Sequence, residues 1–175
     1  KHVRHIIEII SLQQSLATGG ELVEPADPSD VMEQALKINQ ASLNRFGITI
    51  QREFASTEIV PLDRHKVLQI LVNLISNAKF ALVEGRQNNR MLTVRINKPE
   101  ENLVRFEVVD NGLGIAKENL QQIFVNGFTT RKVGHGFGLH NAAVAAKSMN
   151  GSLAVYSDGP GQGARFRLDI PIASQ

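Results

Sequence analysis

Residues 104–115 read VRFEVVDNGLGI, and the fold turns on how that run ends. Val104, Phe106 and Val108 alternate with Arg105 and Glu107, the pattern of a half-buried strand. At its tip stand Asp110, Asn111 and two spaced glycines, Gly112 and Gly114. Asn-Gly alone suffices for a turn, so the acid before it asks for a separate reason. A carboxylate held at a strand end, beside glycines that let backbone approach a flat ligand, accepts hydrogen bonds from an exocyclic amine. Adenine offers that amine, whereas guanine presents a repelling carbonyl. A plain turn is the competing reading of the same residues.

Around this strand the chain divides readily. MLTVRIN (91–97) pairs with LVRFEVV (103–109) as a hairpin, and SLAVYS (152–157) with ARFRLDI (164–170) across DGPGQG. Residues 28–47 form an amphipathic helix with Pro28 in its first turn and Gly47 at its stop, and 48–55 a strand. LDRHKVLQILVNLISNAKFALVEG (62–85) is a long helix starting near Asp63 and closed by Gly85. KENLQQIF (117–124) is a short helix, and LHNAAVAAKSMNG (139–151) another. Residues 1–17 are helical by spacing, and the glycine- and proline-bearing stretch 18–28 is a linker. This order is not a βαβ alternation. It predicts an α+β, two-layer sandwich with a mixed, mostly antiparallel sheet and helices on one face.

The totals fit one domain of 175 residues, 42% hydrophobic and 21% charged. With no cysteine there is no disulfide or thiolate chemistry. The net charge of +2 comes from 19 basic against 17 acidic residues, with no basic run of five, so nucleic acid is not an expected partner. No apolar run approaches the ~18 residues of a membrane span. The expected location is cytoplasmic, with any membrane anchor outside this segment.

Three further stretches carry chemistry. Asn73 and Asn77 lie one turn apart on one helix face beside an apolar stripe, where a carboxamide oxygen suits a Mg²⁺ ion otherwise held by phosphates and water; the alternative is amides bonded to a neighbouring loop. In GFTTRKVGHGFGLH (127–140), Gly134, Gly136 and Gly138 run into a helix whose N–H groups can cradle phosphate, with Thr129, Thr130, Arg131 and Lys132 just upstream; a flexible loop without function is the plainer reading. There is no Walker-type sequence. In GPGQGARF (159–166), two glycines precede a strand and by themselves mark a tight hairpin.

Their order is decisive. Asn-bearing helix, Asp-x-Gly-x-Gly, Phe-Thr-Thr-Arg, Gly-x-Gly-x-Gly-Leu and Gly-x-Gly-Ala-x-Phe closely resemble the N, G1, F, G2 and G3 boxes of sensor histidine kinases over residues 29–173. That family shares its Bergerat (GHKL) ATP-binding fold with type II topoisomerases, Hsp90 and the MutL proteins. The resemblance implies a catalytic ATP-binding domain over 29–175, preceded by the end of a dimerisation and phosphotransfer hairpin over 1–17. It assigns Asn77 to Mg²⁺, with Asn73 in the same box, and Asp110 to adenine. Gly112, Gly114, Ile115 and Ala164 shape the pocket. Phe124 and Phe128 anchor a mobile lid, and Thr129, Thr130, Arg131, Gly134, His135, Gly136, Gly138 and Leu139 face the phosphates.

The implied cofactors are ATP and Mg²⁺, and the implied partners a homodimer mate and a response-regulator receiver domain. Where hydrolysing relatives carry a Glu general base this chain has Asn73, which takes no proton at neutral pH and favours a kinase over an ATPase. A nucleotide-sensing module without phosphotransfer is the other alternative. His2 precedes Val and His5 precedes Ile, unlike the acceptor pattern of His before an acid. No complete catalytic set is therefore expected here, and the isolated chain is not expected to phosphorylate itself. Many sensor kinases place a basic residue three after the Mg²⁺-binding Asn; here that residue is Phe80, and Lys79 sits one earlier.

Overall fold

Asp27 shows how locally this chain punctuates itself. Its carboxylate accepts the Ser29 amide at 2.8 Å, Pro28 needs no amide partner, and helix α1 (Pro28–Arg45) begins there. Asp63 does the same for α2 (Arg64–Glu84), accepting from the Lys66 amide at 3.1 Å. The structure, a computed structural model, describes residues 22–55, 58–132 and 136–172. The helix and most of the linker expected before residue 22, and the candidate residues Gly134 and His135, lie outside these described residues.

In chain order the strands are β1 (Glu24–Ala26), β2 (Thr49–Phe54), β3 (Val60–Leu62), β4 (Met91–Glu100), β5 (Leu103–Asp110), β6 (Ser152–Tyr156) and β7 (Ala164–Pro171). Helix α3 (Lys117–Leu120) and helix α4 (Gly138–Ser148) complete the elements. Five strands form one sheet in the order β2-β4-β5-β7-β6, parallel only between β2 and β4. The mixed, mostly antiparallel sheet expected from the sequence is therefore present.

Strand alternation sorts the two faces. Leu92, Val94 and Ile96 on β4, Val104, Phe106 and Val108 on β5, and Phe166, Leu168 and Ile170 on β7 are buried towards the helices. Helix α2 answers with Val67, Ile70, Leu71, Leu74, Ile75, Ala78 and Leu82, all buried. By length and composition α2 is apolar enough to cross a membrane, and this packing accounts for that hydropathy. The opposite face is a ladder of paired charges. Arg105 grips Asp169 with two bonds of 2.8 and 2.9 Å, Arg95 reaches Glu53 and Glu107, and Arg165 and Arg167 lie 4.5 and 5.1 Å from the Tyr156 ring centre.

Three details differ from the sequence reading. Residues 24–26, within the stretch read as linker, form β1, which pairs antiparallel with the unforeseen β3. Pro25 lies opposite Pro61 there, tolerable because a two-stranded ribbon has no third strand needing their amides. The 117–124 helix stops at Leu120 and continues as turns, with the Gln122 and Ile123 amides both on the Asn119 carbonyl. The β4–β5 arms run further than expected, with a register shift between Asn97 and Glu100 around Pro99.

Phe106 is fully buried on the central strand. Phe106→Ala should lower the unfolding free energy by about 3–5 kcal/mol, read by urea denaturation monitored by circular dichroism.

Candidate functional site

The end of β5 is fastened to α2 by backbone. The Leu113 amide donates to the Ala81 carbonyl at 2.9 Å, and a Cβ on Gly112 would run into that same carbonyl. Gly112 is thus required by close approach. Across the loop, the Gly161 amide donates to the Leu113 carbonyl at 2.7 Å and the Gly163 amide to the Gly112 carbonyl at 3.3 Å. Gly114 (φ +71°) lies against the Gly159 carbonyl, and Gly163 (φ +69°) against that of Asp110.

A residue missed in the sequence ties this corner together. The Ser157 hydroxyl donates to the Gly163 carbonyl at 2.6 Å and accepts the Ile115 amide at 3.0 Å. A lone serine after a strand carries no signal of its own. Ile115 packs partly buried on the core, and Ala164 opens β7 directly opposite Asp110.

Asp110 is only 5% exposed, and its carboxylate accepts the Gly112 amide at 2.9 Å. Burial raises its pKa to about 6, against the opposing pull of the Gly112 and Ala164 amides. No basic side chain pairs with it among the described residues. Such an acid is poised to accept from a neutral donor.

The second half of the site grows from α2. Asn73, Asn77 and Ala81 follow at intervals of one turn on one face, so Asn77 stands about 6 Å along the axis from the residue that holds the Asp110 loop. Asn73 Nδ2 donates to the Gly138 carbonyl at 2.6 Å, binding α2 to the first residue of α4. Asn77 Nδ2 donates to Asn73 Oδ1 at 3.3 Å, which leaves Asn77 Oδ1 facing outwards. The Arg131 guanidinium donates to that oxygen. Lys79 turns away, its Nζ donating to Ser42 Oγ of α1 at 3.2 Å.

Around the start of α4, Phe124 meets Phe166 edge-on with ring centres 6.5 Å apart, and His140 Nδ1 lies 3.0 Å from the Phe124 carbonyl. Phe128 and Leu139 pack partly buried on the core. Thr129 Oγ1 accepts the Arg131 amide at 3.0 Å, and Thr130 is exposed. Gly136 (φ +68°) is pressed against the Gly127–Phe128 backbone. Phe137, at the N-cap of α4, has no side-chain oxygen to cap the first turn. A Cβ on Gly138 would stand 2.7 Å from Asn73 Oδ1. Acid, amides, guanidinium and the first turn of α4 are therefore assembled along one side of α2 and α4.

Residues 62–174 match the model of the histidine kinase-, DNA gyrase B-, and HSP90-like ATPases. Among curated proteins, the chain is 31% identical over 157 residues to the sensor histidine kinase ZraS of Salmonella typhi, covering 78% of this chain and 33% of that protein. It is 28% identical over 167 residues to ZraS of Klebsiella oxytoca, covering 89% and 35%. The chain thus spans about a third of the length of these relatives. Among solved structures, full-length ShkA in complex with AMPPNP superposes with a TM-score of 0.79 at 25% identity, over 89% of this chain and 32% of that one. The mycobacterial sensor histidine kinase MprB shares the fold, with a TM-score of 0.72 at 19% identity, over 88% of this chain and all of that one.

Asp110 has a folded pKa of about 6 against an ordinary value of 3.8, so the folded state binds the extra proton between those values. Stability contributed there is present at low pH and is lost as pH rises through about 6. Asp110→Asn should accordingly raise the unfolding free energy at pH 7.5 by up to about 3 kcal/mol. That gain should shrink towards zero near pH 4, as read by urea unfolding of both proteins at the two pH values.

Proposed function

The chain belongs to the histidine kinase-, DNA gyrase B- and HSP90-like ATPase family, and we propose that it is the ATP-binding catalytic domain of a sensor histidine kinase, passing the γ-phosphoryl group of ATP to a histidine on a dimerisation helix. The observation that carries this reading is the single face of α2, which holds the buried Asp110 loop at Ala81 and the outward Asn77 oxygen one turn before it. A purine amino edge and the phosphate-bound cation of the same nucleotide need that pair of chemistries along one wall of a cleft.

In this reading Asp110 accepts from the adenine amine, with Gly112, Gly114, Ile115 and Ala164 forming the walls. Phe124 and Phe128 anchor the segment that meets the phosphates through Thr129, Thr130, Arg131, Gly136, Gly138 and Leu139. Gly134 and His135 are assigned to that segment by resemblance alone. Among the described residues no group of three or more His, Cys, Asp or Glu side chains gathers, so Asn77 is the residue to hold a metal whose other ligands are phosphate and water, as suits Mg²⁺. The guanidinium already seated on Asn77 Oδ1 supports a cation at that oxygen. When bound, Mg²⁺ shields the phosphate charge.

The chain's own work is positioning. The bond from the γ-phosphorus to the β–γ bridging oxygen breaks and one to an imidazole nitrogen forms, with ADP leaving. Asn73 supplies no base for water, and its amide is already spent on Gly138 and Asn77, which favours transfer over hydrolysis. The phosphoryl group then passes to an aspartate of a response-regulator receiver domain, within a homodimeric protein acting on the cytoplasmic side.

Titration calorimetry tests the pocket. ATP should bind better than GTP and more tightly with Mg²⁺, and Asp110→Ala should cost roughly ten- to hundredfold in affinity. Adenosine, which has no phosphate to titrate, should bind progressively worse as pH falls from 7.5 through 6, because the protonated acid loses acceptor capacity. Phosphotransfer is read by mixing the chain with labelled ATP and the separately purified phosphoacceptor hairpin of the full-length protein. Label should appear on a histidine of the hairpin, and multiple-turnover hydrolysis by the chain alone should be negligible.

A further inference from the structure

Arg131 and Phe80 are 51 positions apart, yet the guanidinium carbon stands 4.2 Å from the Phe80 ring centre while the same group donates to Asn77 Oδ1. Phe80 follows Asn77 by three residues on α2, so ring and amide share one face of the helix. Arg131 is partly buried, and burial lowers its pKa from the ordinary arginine value. Among the described residues no carboxylate pairs with it. A sheltered cation with only an amide and a ring for company still has capacity for an anion. The one lysine nearby on α2, Lys79, is committed to α1.

Resting on the reading of this cleft as a nucleotide site, we propose that Phe80 is a positioning residue whose ring is the shelf that holds Arg131 over α2 for the triphosphate. Stacking fixes the plane of the guanidinium through the ring's quadrupole while leaving its edge N–H donors free. Only one of those donors is engaged by Asn77. An arriving phosphate takes the guanidinium edge, Arg131 stays on Phe80, and Asn77 Oδ1 is released to face the ligand's cation. The positive charge that α2 does not itself carry beside Asn77 is thereby supplied across space by residue 131.

The test is a double-mutant cycle read by calorimetry with two ligands, ATP with Mg²⁺ and adenosine, on the whole chain. Phe80→Leu should weaken ATP binding by roughly three- to tenfold, the range for a partly desolvated cation–π contact, and leave adenosine affinity unchanged. Phe80→Tyr, which keeps the ring, should bind ATP as the parent does. In an Arg131→Ala background, Phe80→Leu should cost nothing further. Additive losses, an equal loss for adenosine, or no loss in Phe80→Leu would each overturn the shelf. Failure of the parent chain to bind either ligand would overturn the nucleotide reading beneath it.

Discussion

One backbone hydrogen bond organises this molecule's cleft: the Leu113 amide on the Ala81 carbonyl. The carbonyl belongs to the last full turn of α2 and also accepts the Gly85 amide that closes the helix, so a single oxygen ends one element and docks another. The contact is possible because residue 112 has no Cβ to obstruct it. From that seam the strand end, its buried acid and the amide face of α2 acquire fixed relative positions. The Ser157 hydroxyl and the paired glycine backbones then brace the outer wall.

The two faces of the sheet divide the electrostatic labour. On the open face Glu53, Arg95, Glu107, Arg105 and Asp169 neutralise one another, Glu53 and Arg95 in reach of water and Glu107 buried between Arg95 and Arg165. On the helix side polar groups are few and each is committed. Asn39 binds carbonyls of α1 and α2, Asp63 caps a helix, and Asp110 and Arg131 carry charges that burial opposes. Holding an acid there costs stability.

Much of this was legible in the residues. Helix starts and stops were marked by Pro28, Asp63, Gly47 and Gly85, and the hairpins by period-2 alternation, because each signal is local and concerns backbone satisfaction. The β1–β3 ribbon was not legible: three-residue strands with a proline in each look like loop, and their pairing depends on a partner some 36 positions away. Candidate residues on three separate segments do converge, at Asn77, Arg131 and Gly138. What the sequence hid was how they touch. The stacking of Arg131 on Phe80, the role of Ser157 and the commitment of Lys79 to α1 all depend on side-chain direction, to which linear spacing is blind.

A carboxamide has a donor end and an acceptor end, and the amides of α2 are threaded in one sense. The Gly138 carbonyl can only accept, so Asn73 must turn its nitrogen there and its oxygen to Asn77, which in turn must show its own oxygen to the cleft. The polarity of the outermost group is thus dictated by a main-chain atom two links away, on another helix. Heredity can consequently loosen what the cleft presents without altering the outermost amide, since a change that disturbs the first link leaves Asn77 oriented by the Arg131 donor alone.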